Sequence, residues 1–162
     1  MIPRPNAFQK QIHRFLMMES VSRWLARILH RVDDLLLRLS RDRYAFSELV
    51  GLPSVRLTMK GAKTGALRTL PLVAIPDNDR FALIATNFGQ KHNPAWYYNL
   101  KAHPECEVTY KGRAQKFIAR ETLGEEYQKY WEMALTYYSG YEKYRERAVP
   151  RHIPVMVLEP KR

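Results

Sequence analysis

The chain has 162 residues and carries 27 Lys and Arg against 16 Asp and Glu, a net charge of +11. That length suffices for one domain with its own core, and an apolar fraction of 46% with 12% aromatics excludes a disordered chain. Cys106 is the only cysteine, which excludes an intramolecular disulfide and a cysteine-based zinc site and fits a reducing, cytoplasmic setting.

The positive balance calls for an anionic partner: nucleic acid, an anionic membrane face or a polyanionic small molecule. Composition alone does not choose among these. Charged residues interrupt every early apolar stretch, so neither a signal peptide nor a bilayer-spanning segment is expected.

Residues 7–41 read as one long helix or two joined ones. Phe8, Ile12, Phe15, Leu16, Val21, Trp24, Leu25, Ile28, Val32, Leu35, Leu36 and Leu39 recur at helical spacing. Lys10, Arg14, Arg23, Arg27, Arg31 and Arg38 occupy the opposite face. Two uses are open for such a helix. It packs its stripe on the domain or on a second copy in a homodimer, or it lies peripherally on an anionic membrane surface, here the inner face of the cell membrane. The expected division is an amphipathic helical segment over 1–50 and a β-rich domain over 51–162, folded as one structural unit.

Residues 54–59 alternate, with Val55, Leu57 and Met59 on one face, and read as a strand. Residues 67–75 read as the next strand, where Pro71 predicts an edge or a bulge. Between them lies Lys60-Gly61-Ala62-Lys63-Thr64-Gly65-Ala66-Leu67-Arg68. Two glycines four apart predict a tight turn that backbone can bring close to a ligand. Lys60, Lys63 and Arg68 converge on it, and its N–H groups offer an anion-holding concavity. A solvated hairpin is the plain alternative. It is not a Walker A loop, because no glycine immediately precedes Lys63-Thr64.

Pro76-Asp77-Asn78-Asp79 predicts a turn, and 80–86 a strand apolar enough to be buried on both faces. The irregular loop 86–92 follows, then Asn93-Pro94 as the start of a short helix ending before Pro104. Cys106, Val108 and Tyr110 alternate on a strand, Lys111-Gly112 turns, and 113–121 returns as its hairpin partner. Thr122-x-x-Glu125 and Ser139-x-x-Glu142 predict capping boxes for two further helices. Tyr127, Tyr130, Trp131, Ala134, Leu135 and Tyr138 form one helical stripe, with Tyr141 and Tyr144 continuing the series past Gly140. Residues 153–160 close the chain as a central strand. The fold class is therefore α+β: about six mostly antiparallel strands in a small barrel, an N-terminal amphipathic helix and flanking helices.

No G-x-S-x-G, H-E-x-x-H or paired-carboxylate motif is present. His13, His30, His92, His103 and His152 lack ligand spacing, so no metal site is expected. The aromatics fall on helical stripes and are not interleaved with basic residues along strands, which argues against nucleic acid.

The run Gly61-x-Lys63-Thr64-Gly65-x-x-Arg68, the strand with Pro71, and Asn93-Pro94-x-Trp96-Tyr97-x-Asn99-Leu100-Lys101-Ala102-x-Pro104 occur in one order. Tyr138-x-x-Tyr141-x-x-Tyr144 and Ile153-Pro154-Val155-x-Val157-Leu158-Glu159-Pro160 complete it. Together these resemble the deazaflavin-dependent nitroreductase family, from about Val55 to Pro160. The resemblance implies a split β-barrel, related to FMN-binding barrels, that binds coenzyme F420, an 8-hydroxy-5-deazaflavin with a phospholactyl-oligoglutamate tail. Ala62, Lys63, Thr64 and Arg68, with Lys60, would surround the phosphate. Thr69, Leu70 and Pro71 would line the deazaflavin. Thr86, Asn87, Phe88 and Gly89 would approach from the next strand end, and Ala95, Trp96, Tyr97 and Asn99 from the helix.

Tyr138, Tyr141 and Tyr144 would cover the substrate side as the catalytic residues, with Tyr138 and Tyr141 as phenol donors to an anion formed by hydride addition. Packing alone is the plain reading of Tyr127 and Tyr130. The implied activity is an F420H2-dependent reductase acting on a hydrophobic quinone, activated alkene or nitroaromatic. The alternative is a split barrel holding FMN, haem or another cofactor, or a non-enzymatic cofactor or lipid carrier. Two departures stand out. Ala62 stands where the family usually has Arg, with Lys60 as a nearby charge, and Leu67 replaces a frequent Pro.

Overall fold

The computed structural model describes residues 52–161. The amphipathic helix expected over 7–41 lies outside these residues. Seven strands are present: β1 (Ser54–Lys60), β2 (Leu67–Val73), β3 (Ile75–Asp77), β4 (Arg80–Ile84), β5 (Glu105–Tyr110), β6 (Arg113–Glu121) and β7 (Val155–Pro160). The helices among the described residues are α1 (Ala95–Ala102), α2 (Gly124–Tyr137) and α3 (Gly140–Ala148).

All neighbours pair antiparallel in one sheet of order β2-β1-β5-β6-β7-β4-β3. Its two edge strands, β2 and β3, are separated in sequence only by Ala74. A single residue spans at most about 7 Å between its neighbours, so the sheet must curl until its edges meet. That geometry makes a half-barrel, as expected for a split barrel.

The strand count differs from the expectation in one place. The run 67–75 is two strands, divided at buried Ala74, whose N–H donates to Pro53 O at 2.9 Å one step past the Ser54–Val73 pair, where Pro53 has no N–H to return. Pro71 lies in edge strand β2 and Pro76 in edge strand β3, where a missing N–H is tolerated. The hairpin turn is correspondingly Asn78-Asp79, with Asn78 at φ 56°.

Two apolar clusters hold the sheet. Val55, Leu57, Met59, Phe81, Leu83, Val108, Phe117, Met156 and Leu158 fill the concave side, closed by Trp96 and Leu100 of α1. Ala82, Ile84, Val155 and Val157 meet Tyr127, Tyr130, Trp131, Ala134 and the α3 tyrosines on the other side. Alternate residues of β4 and β7 thus enter different clusters, which is why both strands are continuously apolar.

Three expected caps are absent. Thr122 is drawn into the sheet instead, its N–H and its hydroxyl both donating to Val155 O. Leu123 and Ser139 precede α2 and α3 without a side-chain cap bond. Glu142, expected in the second box, accepts from Trp131 Nε1 at 3.1 Å and Arg145 at 2.5 Å. Asn93 gives its side-chain oxygen to Arg151, and Pro94 stands at the N-cap of α1.

Candidate functional site

The β1–β2 turn is closed by its own backbone. Gly61 N–H donates to Ala66 O at 2.8 Å, and Gly65 N–H to Gly61 O at 2.8 Å. Gly65 adopts φ +66°, and a Cβ on Gly61 would meet Thr64 Oγ1 at 3.2 Å and Ala66 O at 3.3 Å. Both positions therefore favour glycine. Thr64 Oγ1 accepts from Ala66 N–H at 3.3 Å, and Asn99 Oδ1, reaching from α1, accepts from Ala62 N–H at 2.9 Å.

These bonds consume the amides of Gly61, Ala62, Gly65 and Ala66. The N–H groups of Lys63 and Thr64 have no partner among the described residues, and neither Lys60, Lys63 nor Arg68 is ion-paired among them. A fixed backbone with two free donors and three unneutralised cations is chemically suited to a phosphate. The donor set fits an anionic tail even with alanine at position 62.

Next along the chain, register divides three expected lining residues between faces. Leu70 lies opposite Leu57 and packs on the concave cluster. Thr69 and Pro71 lie opposite Thr58 and Arg56 on the other face, where the Thr58 and Thr69 hydroxyls are 2.9 Å apart.

The segment after β4 is the most contorted backbone in the site. Asn87, Phe88 and Gly89 have φ of 47°, 56° and 80°. Two non-glycine residues in the left-handed region cost about 1–2 kcal/mol each, so surrounding contacts must hold them. A Cβ on Gly89 would lie 2.8 Å from Arg147 Cβ and 3.0 Å from Tyr144 O, so the loop packs directly on α3. The Phe88 ring meets Tyr144 edge-on at 5.9 Å. Asn87 Nδ2 donates to His92 O at 3.0 Å, and Lys91 Nζ donates to the carbonyls of Arg147 and Val149. Cations at the end of a helix suit its dipole.

Arg151 grips the same segment. Its Nε donates to Gln90 O at 2.9 Å, Nη2 to Thr86 O at 2.7 Å, and Nη1 to Ala85 O at 3.1 Å and Asn93 Oδ1 at 2.5 Å. Sequence reasoning missed Arg151, since its partners lie far along the chain and no local pattern announces it.

In α1, Ala95 is exposed and Trp96 is buried in the concave cluster. Tyr97 OH donates to Glu121 Oε2 at 3.0 Å, which also receives Lys101 Nζ at 2.9 Å. Burial first, then the bond to Glu121, raises the Tyr97 pKa.

Tyr138, Tyr141 and Tyr144 form one buried group, exposed by 4%, 6% and 5%. Their ring centroids lie 5.4–6.4 Å apart. The Tyr138 and Tyr144 hydroxyls share a hydrogen bond of 3.3 Å, whereas the Tyr141 hydroxyl has none among the described residues. Burial, and secondarily the neighbouring Tyr144, pushes Tyr138 and Tyr141 well above the ordinary tyrosine range. Both phenols keep their protons at neutral pH. Tyr127 and Tyr130 are buried in the same cluster, with Tyr130 OH donating to Asp77 at 3.0 Å.

The turn, α1, the 86–92 loop and the α3 tyrosines are thus linked in one chain of contacts. Asn99 joins the first pair, Arg151 the middle pair and Phe88–Tyr144 the last. The family model of the F420H(2)-dependent quinone reductases matches residues 38–160. An F420H(2)-dependent quinone reductase of Mycobacterium tuberculosis is 31% identical over 145 residues, covering 85% of this chain and 97% of that protein. Among solved structures, the F420-H2 dependent reductase FDR-A is 35% identical, with a TM-score of 0.61 over 66% of this chain and 94% of its own. A domain-swapped dimer is 29% identical, with a TM-score of 0.63 over 85% of this chain and 98% of its own.

Proposed function

The chain belongs to the F420H(2)-dependent quinone reductase family, and we propose that its site carries a hydride from F420H2 to a quinone through the residues described above. The observation that carries this reading is the locked cationic turn. Asn99 holds Ala62 N–H, leaving the Lys63 and Thr64 amides with Lys60, Lys63 and Arg68 to receive an anionic tail. Leu70 and Pro71 of β2, Thr86–Gly89 and the α1 start would flank the ring portion. When bound, the cofactor supplies the hydride, so no nucleophilic side chain is needed.

The protein's own contribution is placement and a hydrogen bond. A quinone oxygen gains negative charge as hydride arrives, and a protonated phenol can donate to it. Tyr141 is the best placed of the three tyrosines, because its hydroxyl is not engaged with another described residue. Fluorescence titration with F420, with FMN in parallel, tests the cofactor. Saturable F420 binding with FMN excluded is the expected result; preference for FMN, or binding of neither, would end the reading.

Among the described residues no helix is long and apolar enough to cross a membrane. We place the amphipathic segment 7–41 on an anionic membrane surface, where a quinone would be met, on the strength of its basic face opposite an apolar stripe. Deleting residues 1–40 should lower co-sedimentation with anionic vesicles and spare F420 binding; unchanged co-sedimentation would sink this. The same stripe would serve a second copy of the chain, and sedimentation equilibrium without lipid separates that outcome.

A further inference from the structure

Arg151 is the side chain whose placement the proposed activity leaves unexplained. It lies in the link between α3 and β7, yet its donors reach 58 to 66 residues back along the chain. Ala85 and Thr86 precede the left-handed triplet Asn87–Gly89, and Gln90 follows it. One planar guanidinium therefore donates to carbonyls on both sides of the contorted turn. It also takes the Asn93 side chain that leads into α1.

Arginine suits this task because its five donors point in fixed directions, whereas a lysine offers one rotating ammonium. Arg151 makes no ion pair with a carboxylate among the described residues, so carbonyl dipoles and an amide oxygen satisfy a full charge. A scaffold contact alone would be served as well by an Arg–carboxylate pair, as Arg120 makes with Glu126. Arg151 instead spends most of its donors on the carbonyls of Ala85, Thr86 and Gln90 and on the Asn93 side chain, with His152 O at 3.5 Å as its one near neighbour.

We propose that Arg151 is the positioning residue of the cofactor site: it holds 86–90 and the start of α1 in the conformation that receives the cofactor, without touching it. The inference rests on the F420 reading above. Arg151→Met keeps the bulk and removes every donor, and Arg151→Lys keeps the charge with fewer donors.

F420 affinity, read by fluorescence, should fall by about tenfold or more in Arg151→Met, as expected when hydrogen bonds to a charged group are lost. Arg151→Lys should recover part of the loss. Amide hydrogen exchange of the ligand-free protein supplies the second readout. Exchange should quicken at 86–92 in Arg151→Met while β1 and β5 keep their protection, which a general loss of stability would not produce. Wild-type affinity in a folded Arg151→Met protein, or exchange that quickens uniformly, would overturn the proposal. Should Arg151→Met fail to fold, unchanged affinity and unchanged 86–92 exchange in Arg151→Lys overturn it equally. A wild-type protein that binds no F420 removes the cofactor reading and this inference together; a wild type that binds as its variant does removes the inference alone.

Discussion

Among the three clustered tyrosines, near-equal burial hides unequal chemistry. Tyr138 and Tyr144 share a hydrogen bond, so replacing Tyr138 with Phe removes a buried partner and should cost about 1 kcal/mol of stability. Tyr141 has no such partner among the described residues, and Tyr141→Phe should leave stability close to wild type. If its phenol donates to the acceptor, Tyr141→Phe should lower quinone turnover by about tenfold or more while F420 affinity stays unchanged. Steady-state kinetics with a soluble quinone, beside an F420 titration, separates the two. Undiminished turnover would return Tyr141 to a packing role. Asn99 gives a contrasting case: its amide oxygen is spent on Ala62 N–H, which ties it to the turn whatever its Nδ2 group does.

At the scale of elements, what could be read from the residues depended on where each strand's partners lie. β1 faces one apolar cluster and alternates cleanly, and β4 and β7 face two and are apolar throughout, so all three were legible. The break at Ala74 was not. Nothing local separates 67–73 from 75–77; the interruption comes one step past the Ser54–Val73 pair, where Ala74 donates to Pro53, which has no N–H to return. The caps at Thr122 and Asn93 failed because distant partners took their side chains. Thr122 has the right residue type and spacing for a cap, but β7 offers Val155 O within reach of both its N–H and its hydroxyl. The cationic turn was legible because glycine and lysine act through local backbone geometry and charge. The grip of Arg151 on 85–93 was not, because its bonds there reach 58 to 66 residues back along the chain, where no local pattern records them.

For the molecule as a whole, the buried aromatic cluster sets an alkaline limit on stability. Burial is the first cause raising Tyr127, Tyr130, Tyr138 and Tyr141, and it pushes the Cys106 thiol up to about 12. Unfolded tyrosine ionises near pH 10 and unfolded cysteine near pH 8.5. Below those values both states hold their protons and these groups add no pH dependence. Above them the unfolded chain gives up protons that the native chain retains, so the native state binds more protons and stability falls as pH rises. Each fully buried group contributes a slope of up to about 1.4 kcal/mol per pH unit once its unfolded form titrates. On the acid side the sign reverses. Lys129 holds Asp77, and Arg120 holds Glu126, below the usual carboxylate range, so their contributions are lost as pH falls through the folded-state values. Urea unfolding across alkaline pH, followed by tyrosinate absorbance, reads the effect directly. The midpoint should drop between about pH 9 and pH 11, with a step in tyrosinate absorbance at the unfolding transition as the buried rings are released. A urea transition at alkaline pH without such a step would mean that water already reaches these rings in the folded chain, and the α2–α3 cluster would then lend the proposed site no dry wall.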